Sequence, residues 1–382
     1  MRNFKKAIAS VSVAALGVAA LAGCTSTPKA SSMFDVMKAA SELDKCSYEV
    51  SCTVEMGSEV IDFTLFGEYD GNATSMSFKA MADGVKYEVE DALIATDSSI
   101  YLNVGAVSTL AGAAEFDLSA YGITGDWVSL DLGEELKTET DADVFLDALD
   151  KAYKDVIEEE DGKYEIRISS DEDLQEFVDA TINLLNDNAE SWSKEIAELS
   201  NQYDYEAVIR DVISDLFVDV NKHLDAGMTQ DDIDEIIDSA MEDVDFSEME
   251  VDAADVEEMF SEMATELEDA KDELTWEGSE LDKISITTYQ EDKDYVLEAE
   301  MVGMMDGEKM SVKFNTTITK DDKASVNVPD KDVQTVSEVV CGMLDAFGIT
   351  AENLDEYMDE LEDMGGSSLD EDDMFEDMIT VQ

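Results

Sequence analysis

Apolar and polar residues alternate with a period of two in two separated parts of the chain, 46–132 and 276–328. Asp-Gly pairs such as Asp70-Gly71 and Asp83-Gly84 lie between these runs, and Asp-Gly is typical of tight hairpin turns. A strand with one apolar and one polar face packs against a core on one side only. The pattern therefore predicts an antiparallel meander with a single covered face. The first run carries the apolar side chains Tyr48, Val50, Cys52, Val54 and Met56.

Between these two parts the hydrophobic period changes to that of a helix. Residues 171–275 contain 35 acidic and four basic residues and no proline, a net charge of −31. Ser170 and Thr229 are suited to cap two of four predicted helices. A helix is also predicted before the strands, from Ser32 to about Lys45. Another is predicted after Pro329, which follows the last strand.

These patterns predict an α+β fold with N- and C-terminal helices and a large acidic all-helical insertion in a curved antiparallel sheet. The expected β-rich domain comprises 32–170 and 276–346, with the insertion at 171–275. Residues 347–382 are expected to form a last helix and an acidic tail.

The composition limits the functions that this chain can have. It has 382 residues and a formal net charge of −71, so it lacks the excess of Lys and Arg that nucleic-acid binding requires. It is not expected to adhere unaided to an anionic membrane either. Apolar residues make up 44% of the chain, enough for an ordinary core.

The first residues resemble the signal peptide of bacterial lipoproteins. Basic residues at Arg2, Lys5 and Lys6 precede an uncharged run over 7–22, which is short for a membrane span. The run ends in a motif that resembles a lipobox. Its residues are Leu21, Ala22, Gly23 and Cys24.

The resemblance implies cleavage after residue 23, a diacylglycerol on the Cys24 sulfur and acylation, for example palmitate, of its new amino terminus. Removal of 1–23 would take away three positive charges and leave −74. Two acyl chains suffice for stable anchoring, and the tether 24–31 is short. The expected location is the extracytoplasmic face of the bacterial cell membrane. An uncleaved anchor and ordinary secretion are the alternatives.

The order of elements resembles the LolA/LppX-like half-barrel lipoproteins. The resemblance rests on a helix, a long meander, the segments 100–103 (Ile-Tyr-Leu-Asn) and 126–131 (Asp-Trp-Val-Ser-Leu-Asp), and the Val-x-Val-Pro exit at 326–329. It implies a strongly curved sheet around a helix, with an apolar cavity between them that accepts acyl chains. The helical segment 171–275 departs from that pattern.

No motif in the sequence indicates an enzyme or a cofactor. His223 is the single histidine and borders an apolar helix stripe, and no GxSxG, P-loop, GxGxxG or HExxH motif is present. The acidic runs 231–235 and 370–373 do not match an EF-hand loop. We therefore expect no defined metal site, and only diffuse association with divalent cations. Met301 and Met310 fall on apolar strand faces, which favours core packing over copper binding.

Three cysteines follow Cys24. Cys46 and Cys52 are six residues apart in one predicted strand, about 20 Å, which is too far for a disulfide. Cys341 could pair with either of them, and the pattern favours three buried thiols.

Two functions remain for the mature chain. The first is a membrane-anchored module that binds an apolar or lipid ligand within the half-barrel. The alternative is a structural or interaction lipoprotein without a small-molecule ligand, whose acidic helical lobe contacts a protein partner that the sequence does not identify.

The lipid at Cys24 gives a direct prediction. Cys24→Ala should release the protein from the membrane fraction into the medium, because no other feature attaches so anionic a chain to a bilayer. Fractionation followed by immunoblotting measures this. Retention of the variant in the membrane fraction would contradict the lipoprotein interpretation.

Overall fold

The structure is a computed structural model. It describes 32–82, 85–110, 118–132, 142–201, 205–241, 250–276, 280–305 and 307–351, together with positions 244 and 246. The predicted signal peptide, the tether and the last predicted helix lie outside the described residues.

The described chain is a mixture of helices and strands. The helices are α1 (Met33–Ser41), α2 (Val104–Leu110), α3 (Ala142–Tyr153), α4 (Asp171–Ser200), α5 (Tyr205–Leu224), α6 (Gln230–Met241), α7 (Ala253–Ala270) and α8 (Val336–Phe347), with short 3-10 helices at Leu118–Tyr121 and Lys271–Glu273. The strands are β1 (Cys46–Met56), β2 (Glu59–Tyr69), β3 (Ala73–Ala82), β4 (Val85–Thr96), β5 (Ser99–Asn103), β6 (Trp127–Asp131), β7 (Ile157–Glu160), β8 (Lys163–Ile168), β9 (Leu281–Glu291), β10 (Asp294–Met305), β11 (Glu308–Lys320) and β12 (Val333–Thr335).

All of these strands belong to one open sheet. Its order is β12-β6-β5-β4-β3-β2-β1-β11-β10-β9-β8-β7, and every neighbouring pair is antiparallel except β12 and β6. The prediction of an α+β fold with a large antiparallel sheet is confirmed. The parallel pair was not predicted, because β12 has only three residues and shows no period.

The centre of the sheet joins the two strand-rich parts of the chain. β1 pairs with β11 over its full length, from Cys46 opposite Lys320 to Met56 opposite Met310. The four helices α4–α7 lie between β8 and β9 in the chain, yet these two strands are hydrogen-bonded neighbours.

Side-chain caps set the starts of several helices. The Ser32 hydroxyl accepts a hydrogen bond from the Asp35 N–H at 3.1 Å, and Ser170 does the same for Asp173 at 3.2 Å. Each cap satisfies an N–H that has no partner within its own helix. These two predicted starts are confirmed.

The main core lies between the β8–β10 end of the sheet and helices α1, α3 and α4. Tyr153 stacks on Phe177 with ring centroids 5.3 Å apart, and Trp192 meets Phe145 at 5.4 Å. Pairs of this kind stabilise a core by about 0.5–1.5 kcal/mol beyond their buried area. The first helix of the predicted insertion, α4, thus contributes directly to the core over the sheet.

Two smaller clusters lie outside this core. Phe78, Val89 and Ala106 bring α2 onto strands β3 and β4. Ile233 and Ile237 of α6 form the other cluster with residues of α5. Among the described helices, none is both long and apolar enough to cross a membrane.

The predicted start of the C-terminal helix at Pro329 is wrong. The chain after Pro329 remains irregular and forms β12, and α8 begins only at Val336. Thr335 caps this helix, accepting a hydrogen bond from the Glu338 N–H while the Glu338 carboxylate accepts one from the Thr335 N–H. This reciprocal capping box determines the helix start, and the proline does not. The short elements α2 and β7 were also not predicted.

Asp70 attaches the chain after β11 to the β2–β3 turn. One carboxylate oxygen accepts hydrogen bonds from the N–H groups of Asn72 and Ala73, and the other accepts one from Val326, all at 3.1 Å. Partial burial acts to raise the pKa of Asp70, but these N–H groups and Lys45 lower it below its ordinary value. The charged form is therefore the one that stabilises the fold.

This contact predicts an effect on stability. Asp70→Asn should lower the free energy of unfolding at pH 7 by about 1–2 kcal/mol, because an amide cannot accept all three hydrogen bonds. Because the folded-state pKa is lowered, the wild-type advantage should be lost as the pH falls through that pKa. Urea denaturation at pH 7 and at acidic pH measures both effects. Asp322→Asn, which removes an exposed charge from the same segment, is the control and should change little.

Candidate functional site

One face of the sheet is apolar across five neighbouring strands. Residues that lie opposite each other in a ladder project to the same side, so the register identifies this face. One row consists of Ile284, Met301, Val312, Val54 and Ile61. The next row consists of Ile286, Ala299, Phe314, Cys52 and Phe63. We name these ten side chains the apolar platform.

The cover over the apolar platform decreases from β9 to β2. Ile284 and Ile286 pack against the main core. The platform residues of β10, β11 and β1 are half-buried. On β2, Ile61 is 53% exposed and Phe63 is 41% exposed. The platform is therefore closed at one end and open to solvent at the other.

Helices α1 and α2 border the platform, but they cover different strands of the sheet. α1 contacts β8, β9 and β10, whereas α2 contacts β4 and β5. Strands β11, β1, β2 and β3 lie between these two contact regions, and of these β3 also packs against α2 through Phe78. The first residue of α1 marks the boundary, because the Met33 carbonyl accepts a hydrogen bond from the Thr288 hydroxyl at 3.2 Å.

The opposite face of these strands is polar. Lys283 lies 3.5 Å from Glu300 and 3.8 Å from Glu165, and its strand neighbour Ile284 belongs to the platform. These half-exposed ion pairs add little stability. They show that the alternation found in the sequence separates an apolar face from a charged one.

The hydroxyl group of Tyr48 is held in place beside the platform. Its hydroxyl donates a hydrogen bond to the Ser75 carbonyl at 2.6 Å, passing over Gly67 on the strand between them. A β-carbon at Gly67 would lie 2.7 Å from the Tyr48 oxygen. Burial, together with Cys46, raises the pKa of Tyr48 to about 12, so this group stays a donor at physiological pH. The signal for this contact is the single glycine in the apolar series of β2.

Thr316 supplies a polar group on the apolar face. Leu297 and Val50 lie directly opposite it on the two neighbouring strands. The residue is buried, and its hydroxyl has no hydrogen-bond partner among the described residues. A buried unpartnered hydroxyl costs about 1–3 kcal/mol.

The three cysteines of the described chain are free thiols, as the sequence pattern favoured. Cys46 and Cys341 are buried as expected, whereas Cys52 is only half-buried. Burial raises the pKa of the Cys46 thiol. The pKa of the Cys341 thiol is also raised, mainly by burial and to a smaller extent by nearby acidic residues. These two thiols are therefore poor nucleophiles at neutral pH.

The predicted lipobox Leu21, Ala22, Gly23 and Cys24 lies outside the described residues.

His223 lies on α5 at the boundary with α8, where its Nε2 atom is 3.0 Å from the Asp345 carboxylate. The contact links two helices. Met301 and Met310 lie on the apolar face, as their spacing predicted.

Carboxylates of the acidic run 231–235 accept hydrogen bonds from residues close to them in the chain. Asp232 accepts hydrogen bonds from the N–H and the hydroxyl of Thr229, both at 2.7 Å, and these lower the pKa of Asp232. Asp234 accepts one from Gln230 at 2.9 Å. In the part of the chain that the structure describes, no three His, Cys, Asp or Glu side chains converge as metal ligands would. The run 370–373 lies outside that part.

Comparisons with protein-family models, with curated proteins and with solved structures found no match for this chain.

The difference in cover over the apolar face can be tested with two phenylalanines on neighbouring strands. Phe78→Ala should cost about 3–5 kcal/mol, because Phe78 is 6% exposed and packs under α2. Phe63→Ala should cost only about 1 kcal/mol, because Phe63 already faces solvent. Urea denaturation gives both values. Equal losses would mean that Phe63 is covered in solution.

Proposed function

We propose that this protein is a membrane-anchored extracytoplasmic lipoprotein that binds an apolar or lipid ligand on the apolar platform. The main support for this proposal is that the platform is open to solvent at Ile61 and Phe63. Exposed apolar side chains in a contiguous patch are expensive to keep in water unless something binds there. The platform continues from this open end into the main core, as a site for an elongated apolar ligand requires.

We further propose that the sheet curves into a half-barrel with the platform on its inner side. Each strand is rotated by about 20–25° from its neighbour, so a sheet of twelve strands accumulates a large twist. Helix contacts support curvature, since α4 packs on β8 at one end while α8 packs on β6 and β12 at the other. α5 in turn packs on α8. In this proposal, residues 171–275 are an acidic helical insertion that connects the two ends.

The size of the platform suits an acyl chain. Five strands spaced about 4.8 Å apart give a row about 19 Å long. Each methylene that is buried there contributes about 0.8 kcal/mol. A single-chain lipid or a fatty acid therefore fits the proposed site better than a bulky apolar molecule.

The position of α1 is consistent with a site close to the membrane. The proposed tether from Cys24 joins α1, whose first residue Met33 lies at the border of the platform through its hydrogen bond with Thr288. Seven extended residues span about 25 Å. A lipid on Cys24 would keep the platform within that distance of the bilayer from which an apolar ligand comes.

Binding can be tested with two exposed residues that are neighbours in the chain. Ile61 lies on the platform, whereas Val60 is 41% exposed and lies opposite Glu55 on the polar face. The probe is N-phenyl-1-naphthylamine, an uncharged fluorophore, titrated into the Cys24→Ala protein. Ile61→Asn should weaken its binding about tenfold, the equivalent of the apolar burial of one large side chain. Val60→Asn is the matched control and should leave binding unchanged.

The ligand itself can be identified by organic extraction and mass spectrometry of the same purified protein. A stoichiometric lipid that is lost in Ile61→Asn and retained in Val60→Asn supports the proposal. No lipid, together with no uptake of the probe, would refute it and would favour the interaction lipoprotein. Equal effects of the two substitutions would place any bound probe elsewhere.

A further inference from the structure

A cleft of about 470 Å³ lies where β5 passes into α2, away from the apolar platform. Its walls come from the end of β5, the start of α2, the 3-10 helix at Leu118 and the start of β6. Small-molecule sites usually have volumes of about 300–1,000 Å³. The cleft therefore has room for a small organic ligand.

Hydrogen bonds hold one wall of the cleft in place. The Gln334 side chain of β12 accepts hydrogen bonds from the N–H groups of Thr124 and Gly125 at 2.6 Å and donates one to the Gly122 carbonyl at 3.1 Å. A β-carbon at Gly125 would lie 2.8 Å from the Asp332 carbonyl oxygen, so a side chain at this position would clash. The segment that leads into β6 is thus fixed.

The cleft offers little to an anion. The Val104 N–H already donates to the Asp126 carbonyl at 3.0 Å, and the Ala106 N–H donates to the Asn103 side chain at 3.2 Å. None of the eight described residues that line the cleft is Lys, Arg or His. A phosphate or carboxylate ligand would find no compensating charge there.

Two residues of the lining carry side chains that suit an organic cation instead. Trp127 is half-buried, and the face of an indole ring attracts cations more strongly than other aromatic rings do. Asp126 is exposed and has no basic partner among the described residues, so its carboxylate is available as a counter-ion. The net charge of −71 raises the concentration of cations around the protein.

We infer that this cleft binds a small organic ammonium ion, with Trp127 as its aromatic contact and Asp126 as its counter-ion. The inference is independent of the proposed function, because the apolar platform and the cleft share no residue. The ammonium ion could be free in solution or belong to a lipid headgroup, and the experiment distinguishes these sources.

The test is calorimetric titration of the full chain carrying Cys24→Ala, at about 0.15 M salt so that diffuse attraction is screened. Choline should bind at least about tenfold more tightly than 3,3-dimethyl-1-butanol, which has the same shape without the charge. Dihexanoyl phosphatidylcholine below its micelle concentration tests the headgroup source. Tighter binding of this lipid than of choline assigns the ammonium group to a lipid, and weaker binding assigns it to a free ion. Methyl glucoside should not bind, and tighter binding of the glucoside than of choline would overturn the inference.

Variants locate the binding. Asp126→Asn should weaken choline binding about fivefold and Trp127→Leu about tenfold. Asp97→Asn removes an exposed charge from the β4–β5 turn and should have no effect. If Trp127→Leu melts at a lower temperature than the parent, Trp127→Phe replaces it and should show a smaller loss. Equal affinity for choline and its neutral analogue, or equal effects of Asp126→Asn and Asp97→Asn, would overturn the inference.

Discussion

The pairing of β1 with β11 holds the two strand-rich parts of the chain together in one sheet. It joins Cys46 to Lys320 and Met56 to Met310 in one continuous ladder, with β1–β6 and β12 on one side and the β7–β11 block on the other. Because side chains alternate strictly, this register also decides which residues of both parts share a face. A shift by one residue would turn the apolar side chains of β1 away from those of β11. The apolar platform exists only because the register aligns them.

The helices convert this continuous apolar face into covered and uncovered parts. The main core is concentrated where α1, α3 and α4 pack on β8–β10, and a smaller cluster lies under α2. Between them the same face remains half-buried and then exposed at Ile61 and Phe63. The ion pair of Lys283 with Glu300 lies on the other face of the sheet. A face with ion pairs and an open apolar face therefore coexist in one sheet.

The local pattern of the sequence predicted the longer strands, the main helices and the face to which Val54 and Phe63 belong, because periodicity and capping act over a few residues. It did not predict β7 and β12, which have only four and three residues. The partner of each strand was not predictable beyond the hairpins, since period two determines a face and not a neighbour. The start of α8 was misplaced, because the proline signal at Pro329 competed with a capping box further along. The open end of the platform depends on where α1 and α2 stop covering the sheet, and no single segment encodes that. Gly67 is visible in the sequence as a glycine within an apolar strand. The reason for it, the close approach of the Tyr48 hydroxyl, is seen only in the structure.

We propose that an apolar chain binds on the platform. The most direct measurement is a methyl NMR titration of the Cys24→Ala protein with a fatty acid that carries a spin label on its chain. If the chain binds on the platform, the methyl signals of Ile61, Val54 and Val312 should broaden first, while those of Ile233 and Ile237 in the α5–α6 cluster should stay sharp. Broadening of both groups to the same extent, or none at all in the presence of excess fatty acid, would contradict it.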